Sequence, residues 1–162
     1  MGSAVAGKGL FGVSIDPSGK FLYVPNQTEM NVYGFAIGSS GTLTPVAGSP
    51  FGTTGTPVAT LAVSLSSASY LYVTDSANNV VNSYHIDSMT GGLTHTGSAA
   101  TGSQPSYLAA VGNLLYSTNV QGGNISGFVL KSDGTMTPAP GSPFMIGSQP
   151  VSGAAILSGT QK

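Results

Sequence analysis

Phe21-Leu22-Tyr23-Val24-Pro25-Asn26 returns as Tyr70-Leu71-Tyr72-Val73-Thr74-Asp75, and again as Leu114-Leu115-Tyr116-Ser117-Thr118-Asn119. Tyr23, Tyr72 and Tyr116 thus recur at intervals of 49 and 44 residues. The flanking segments recur in step. Val32-Tyr33-Gly34-Phe35 is followed by Val81-Asn82-Ser83-Tyr84 and Ile125-Ser126-Gly127-Phe128. A turn and strand start come next each time: Ser40-Gly41-Thr42-Leu43-Thr44, Thr90-Gly91-Gly92-Leu93-Thr94 and Asp133-Gly134-Thr135-Met136-Thr137. Two copies share Pro-x-x-Gly-Ser-Pro-Phe, from Pro45 to Phe51 and from Pro138 to Phe144, and the copies close on Pro57, Pro105 and Pro150. Self-similarity at this period is the signature of a repeat architecture.

Each unit reads as four short strands separated by turn residues. First strands are expected near 10–16, 58–65, 106–111 and 151–157, and second strands near 21–26, 70–75 and 114–119. Third strands are expected near 31–37, 80–86 and 124–130, and fourth strands near 43–47, 93–97 and 136–140. The second strands are apolar or aromatic throughout, which implies cover on both faces. Asn, Asp, Gly and Ser between strands accept the positive φ of tight hairpins. The fold class is therefore all-β: three four-stranded antiparallel blades of a β-propeller and one extra strand, an incomplete ring within one chain. Residues 1–9 read as an N-terminal extension and 10–162 as one repeat domain, with blades near 10–50, 58–100 and 106–144 and a fourth-blade strand at 151–157.

The core Tyr-Val-Pro-Asn, Tyr-Val-Thr-Asp and Tyr-Ser-Thr-Asn resembles the Tyr-Val-Thr-Asn repeat. With the Thr-Gly-Gly-Leu-Thr and Gly-Ser-Pro-Phe turns, the chain is similar to the lactonase-like seven-bladed β-propeller family. That family includes 6-phosphogluconolactonase-type and muconate-lactonising proteins and surface-layer propellers. The resemblance spans roughly residues 10–157 and implies a blade type more than an activity, since one fold hosts many functions. Seven such units need about twice the present length. Three readings of the short chain stay open: a piece of a longer propeller, a half-ring that associates with copies of itself, or an isolated monomer.

Composition narrows the chemistry. Only 6% of residues are charged and the net charge is −1, so there is no long-range field for nucleic acid. Such a weakly charged polar surface suits an extracellular or cell-envelope setting. The cations are Lys8, Lys20, Lys131 and Lys162; there is no arginine and no cysteine. Bidentate grip on carboxylate or phosphate, thiol catalysis, disulfides and cysteine-based zinc sites are thereby excluded. No apolar run approaches the ~18 residues of a membrane span. Residues 1–8 lack the basic start and apolar stretch of a secretory leader.

One face of a propeller, made by the turns between second and third strands and by the entries to first strands, is the expected ligand face. It carries Asn26, Gln27, Glu29 and Asn31, then Asp75, Asn78 and Asn79, then Asn119, Gln121 and Asn124, with Gln104 and Gln149 before the closing prolines. These side chains either form an amide-rich rim for a carbohydrate or peptide, or simply build turns. Lactone hydrolysis needs a base or metal to activate water and a cation for developing negative charge. Glu29 and Asp75 are the only carboxylates on that face, and neither has a basic neighbour in sequence. No catalytic residue, metal set or cofactor motif is identified. His85 and His95, in third and fourth strands of the second blade, read as half-buried hydrogen-bonded residues. The residues point first to a non-catalytic module with a structural or interaction role, partnered by copies of itself or by the rest of a longer propeller. The alternative is a sugar-lactone hydrolase, or part of one, acting within a larger ring.

Overall fold

The computed structural model describes residues 7–66 and 68–147, which form three antiparallel sheets. In the first blade, β1 (Ser14–Ile15), β2 (Phe21–Asn26), β3 (Asn31–Ile37) and β4 (Leu43–Pro45) lie side by side in chain order, and β5 (Phe51–Gly52) returns to pair with β3. The second blade is β6 (Pro57–Leu65), β7 (Ala68–Asp75), β8 (Val80–Ile86) and β9 (Leu93–Ala100). The third repeats the first: β10 (Pro105–Val111), β11 (Leu114–Asn119), β12 (Asn124–Leu130), β13 (Met136–Pro138), and β14 (Phe144–Met145) on β12. The expected all-β blades are present, and three of them leave the ring open. The expected strand at 151–157 and Pro150 lie outside the described residues.

Turn chemistry keeps sequential strands adjacent. Met30, Asn79 and Gly123 hold φ of +53°, +55° and +59° at the last turn position before β3, β8 and β12. Gly41, Gly91 and Gly134, at +77°, +73° and +81°, serve the hairpins on the opposite rim. Two of those hairpins, at Gly91 and Gly134, are braced by Asp87 and Asp133. Asp87 Oδ1 accepts from Met89 N (3.0 Å) and Thr90 N (2.8 Å). These bonds, with that of the Thr90 hydroxyl, hold the Asp87 carboxyl below the ordinary aspartate range.

Two departures from expectation have local causes. The first strand of blade one shrinks to two residues plus a bridge from Leu10 to Asn26, because Gly9 and Gly12 take positive φ and interrupt extension. The outer strands of blades one and three split in two around Pro-x-x-Gly-Ser-Pro-Phe. There Ser49 Oγ accepts from Gly34 N (3.0 Å) and Ser142 Oγ from Gly127 N (2.9 Å), replacing ladder bonds. Phe51 and Phe144 then lie over Gly34 and Gly127, where a Cβ would come within 3.1 Å and 2.9 Å of their rings. The Ser49–Pro50 and Ser142–Pro143 bonds are cis. In the second blade, which lacks the motif, β9 runs unbroken.

The core lies between blades. Phe21, Tyr23 and Val32 meet Ala62, Leu71, Val73 and Tyr84 at the first junction. Tyr70, Tyr72 and Val81 meet Leu108, Leu115 and Phe128 at the second. Each large side chain so buried contributes roughly 1.5–3 kcal/mol. In β7 every residue from Tyr70 to Asp75 is buried, as continuous apolarity predicts. In β2 and β11 burial alternates, because the end blades have a described neighbour on one side only.

Candidate functional site

The blades fan out from an axis along which β1, β6 and β10 come together, and their inward surface forms a groove. The deeper part, about 470 Å³, is walled by Phe11, Val13 and Ile15 from the first blade, residues 58–62 from the second and Ser106, Tyr107 and Leu108 from the third. An adjoining recess of about 340 Å³ is lined by Phe11, Gln27, Val58, Ser76, Gln104, Ser106, Tyr107 and Val120.

The backbone explains which residues reach this groove. Gln27 N donates to Gly9 O (3.0 Å), Ser76 N to Thr56 O (3.0 Å) and Val120 N to Gln104 O (2.9 Å). These bonds tie the first residue of each inner turn to the residue just ahead of the inner strand, drawing it toward the axis. Val58 and Ser106 occupy the matching position on β6 and β10, and Phe11 that position just after the Leu10 bridge, ahead of β1. The β6 ladder shifts register between Pro57 and Thr60, and the β10 ladder between Pro105 and Tyr107. Bulges of this kind re-aim side chains, and here the shifted residues line the groove.

The lining offers two aromatic rings, Phe11 and Tyr107, two amides, Gln27 and Gln104, and the hydroxyls of Ser76 and Ser106. Deeper in, Ser14 Oγ donates to Thr60 Oγ1 (3.0 Å). Among the described residues no charged side chain lines either part. Apolar walls with a few placed polar groups are the usual make-up of a small-molecule site, and a ring bearing both a hydrophobic face and hydroxyls matches it.

Nine of the twelve residues expected at the ligand face lie outside this lining, and Gln149 lies outside the described residues. Asn26, Asp75 and Asn119 end the second strands and are fully buried. Asn26 Oδ1 accepts from Thr28 N and Glu29 N, both at 3.0 Å. Asp75 Oδ1 accepts from Thr56 N, Ala77 N and Asn78 N, each at 3.1 Å. The Asn119 amide bridges Asn124 Oδ1 (2.6 Å) and Ser126 Oγ (2.9 Å). Asn78, exposed, donates from Nδ2 to Asp75 Oδ2 (2.8 Å). Asn79 Oδ1 accepts from Gln104 N (2.8 Å), which links the inner turn of blade two to the entry of blade three. Glu29, also exposed, accepts from the Tyr33 hydroxyl (2.7 Å). Asn31 opens β3 and is half-buried, Asn124 opens β12 and is buried, and Gln121 is exposed at the turn before it. Gln27 and Gln104, noted in sequence as rim amides, do reach the groove. Phe11 and Tyr107 were not legible as site residues, because only the glycine break and the bulge bring them there.

The carboxylates are engaged in structure. Asp16 accepts from Phe21 N (2.7 Å) and Lys20 N (2.9 Å), while Asp133 accepts from Thr135 N (2.9 Å). With Asp75, Asp87 and Glu29 they account for all five acids of the chain. Among the described residues no three of His, Asp and Glu converge. His85 is half-buried, edge-on to Tyr70 at 5.7 Å. His95 is exposed, edge-on to Tyr84 at 5.3 Å, with Nε2 3.2 Å from Ser98 Oγ.

Comparison with known proteins agrees with this architecture. The family described as lactonase, seven-bladed β-propeller, matches residues 53–151. No curated protein matches the chain. Among solved structures, a protein of Bacteroides fragilis proposed to be a 6-phosphogluconolactonase superimposes with a TM-score of 0.77 at 22% identity, over 91% of this chain and 42% of its own. The periplasmic gluconolactonase of Pseudomonas aeruginosa superimposes with a TM-score of 0.68 at 19% identity, over 86% of this chain and 40% of its own. The chain spans about two-fifths of the length of these structures.

Proposed function

The chain belongs to the seven-bladed β-propeller lactonase family, and from that premise we propose that its three blades form the sugar-binding wall of a lactonase-type site acting on an uncharged sugar lactone. The observation that carries this reading is the axial groove, where Phe11 and Tyr107 stand among Gln27, Gln104, Ser76 and Ser106 without a charged side chain. An aromatic face packs the apolar side of a sugar ring, and amides and hydroxyls bond its hydroxyl groups. A phosphorylated ring would find no cation on this wall. The acid–base groups that hydrolysis requires fall outside these blades and are assigned to the remainder of a ring.

A second reading, a non-catalytic binding module of the same fold, is favoured by the engagement of every carboxylate in turns or surface bonds. Either form belongs in the cell envelope or outside the cell. Support for that setting comes from the 6% charged composition and from the periplasmic location of one similar structure.

Titration of the full chain with a neutral aldonolactone and with its 6-phosphate, followed by tyrosine fluorescence, tests the proposal. The neutral lactone should give a saturable change that Tyr107→Ala abolishes, and the phosphorylated one a weaker response. Tighter binding of the phosphate, or no saturable response to either, would overturn it.

A further inference from the structure

Two junctions between blades are built alike. At each, a tyrosine of the second strand donates to the carbonyl of a glycine in the next blade's outer hairpin: Tyr23 to Gly91 (2.8 Å) and Tyr72 to Gly134 (3.1 Å). Both glycines hold positive φ, and a side chain at either would strike the aromatic ring two residues ahead of the tyrosine, Phe21 at Gly91 and Tyr70 at Gly134. The aromatic pair thus seats on bare backbone, which only glycine provides.

The two halves of this joint recur, unmatched, at opposite ends of the array. Gly41 is the third glycine of the series, with φ +77° and no atom within 4 Å of where its Cβ would be. Tyr116 is the third tyrosine. Among the described residues its hydroxyl has no partner, and it is half-buried where Tyr23 and Tyr72 are 0% exposed. On the same face Val111 is 55% exposed, whereas its counterpart Val63 is 7% exposed. At the other end Leu22 and Val24 are half-buried, where Leu71 and Val73 are fully buried. Phe35 on that face is already covered, with Tyr33 stacked 6.3 Å away.

We infer that these ends join one another: the third blade of one chain seats on the Gly41 hairpin of a second copy, and the Tyr116 hydroxyl donates to the Gly41 carbonyl. The contact reproduces a junction the chain already makes twice, with Leu114 in the place of Phe21 and Tyr70. It is head-to-tail, since the two patches differ, and a contact of that kind either closes a ring or propagates. A net charge of −1 opposes the meeting of copies only weakly. The inference uses blade faces alone; a ring made only of copies would carry the same five engaged acids and so goes with the non-catalytic reading of the groove.

The test is solution mass by light scattering over a range of concentrations, on the full chain and on Gly41→Asn and Tyr116→Glu. Asn tolerates positive φ and fills the socket; Glu places a charge on the plug. The unaltered chain should rise above 16.1 kDa with concentration, and each variant alone should stay at the monomer mass. An equimolar mixture of the two variants should recover a species of about twice the monomer mass, through the one intact plug and the one intact socket that remain. Three results would overturn the inference: a monomer at every concentration, a variant that alone keeps the unaltered mass, or a mixture no heavier than its components. The first would assign both faces to further blades of a longer polypeptide. If either variant loses its strand circular dichroism, Tyr116→Phe replaces it and must weaken association several-fold, while an unchanged dissociation constant would refute the joint.

Discussion

Asp75 and Ser76 are neighbours in sequence and do opposite things. Asp75 is buried at the end of β7 and accepts three backbone N–H groups. Ser76 turns toward the axis and lines the groove. The same division holds in the first blade, where Asn26 holds its turn and Gln27 faces the recess. The polar rim of this chain therefore contains two populations one residue apart, one that builds turns and one that faces the groove. The backbone bond from each first turn residue to the inner-strand entry sorts them.

The largest effect is expected from breaking the first population. Asp75→Ala strands the amides of Thr56, Ala77 and Asn78 in a partly buried turn and should cost about 2–4 kcal/mol, read as a lower urea midpoint. The conservative Asp75→Asn should recover part of that loss. Equal stability of Asp75→Ala and the unaltered chain would mean that water satisfies those amides and that the turn needs no anchor.

A smaller effect sharpens the contrast between joined and unjoined blades. Tyr72→Phe removes the bond to Gly134 O and should cost about 1 kcal/mol, while Tyr116→Phe at concentrations where the chain is monomeric should cost about nothing. The same tyrosines set an alkaline limit. Burial first, then the nearby Asp16 and Asp87 charges, pushes the Tyr23 phenol well above its ordinary value; burial, then Tyr70 and Asp133, does so for Tyr72. Because the folded values lie above the unfolded ones, this contribution is complete below pH about 10 and declines as pH rises past it. Tyrosinate absorbance should accordingly lag in the folded chain and appear with unfolding.

Much of the fold was legible because repeat spacing, turn glycines and the Tyr23, Tyr72 and Tyr116 series reinforce one another. The departures follow from local packing that a strand pattern does not encode. Phe51 and Phe144 split the outer strands by lying on glycines, and Gly9 and Gly12 break the first inner strand. Less of the candidate site could be read. Amide side chains look alike in sequence whether they accept from a turn, as Asn26 does, or face open space, as Gln27 does. Phe11 and Tyr107 look like core residues until the glycine break and the register shift turn them to the groove.

The central claim, that ligand meets the groove and not the exposed side of the inner turns, is tested most directly by mapping amide NMR shifts on the full chain. The titrant is an uncharged polyhydroxy lactam, a non-hydrolysing stand-in for a sugar lactone. Saturable shifts should gather at Phe11, Gln27, Ser76, Gln104 and Tyr107. Shifts gathered instead at Glu29, Asn78 and Gln121, or none that saturate, would contradict it.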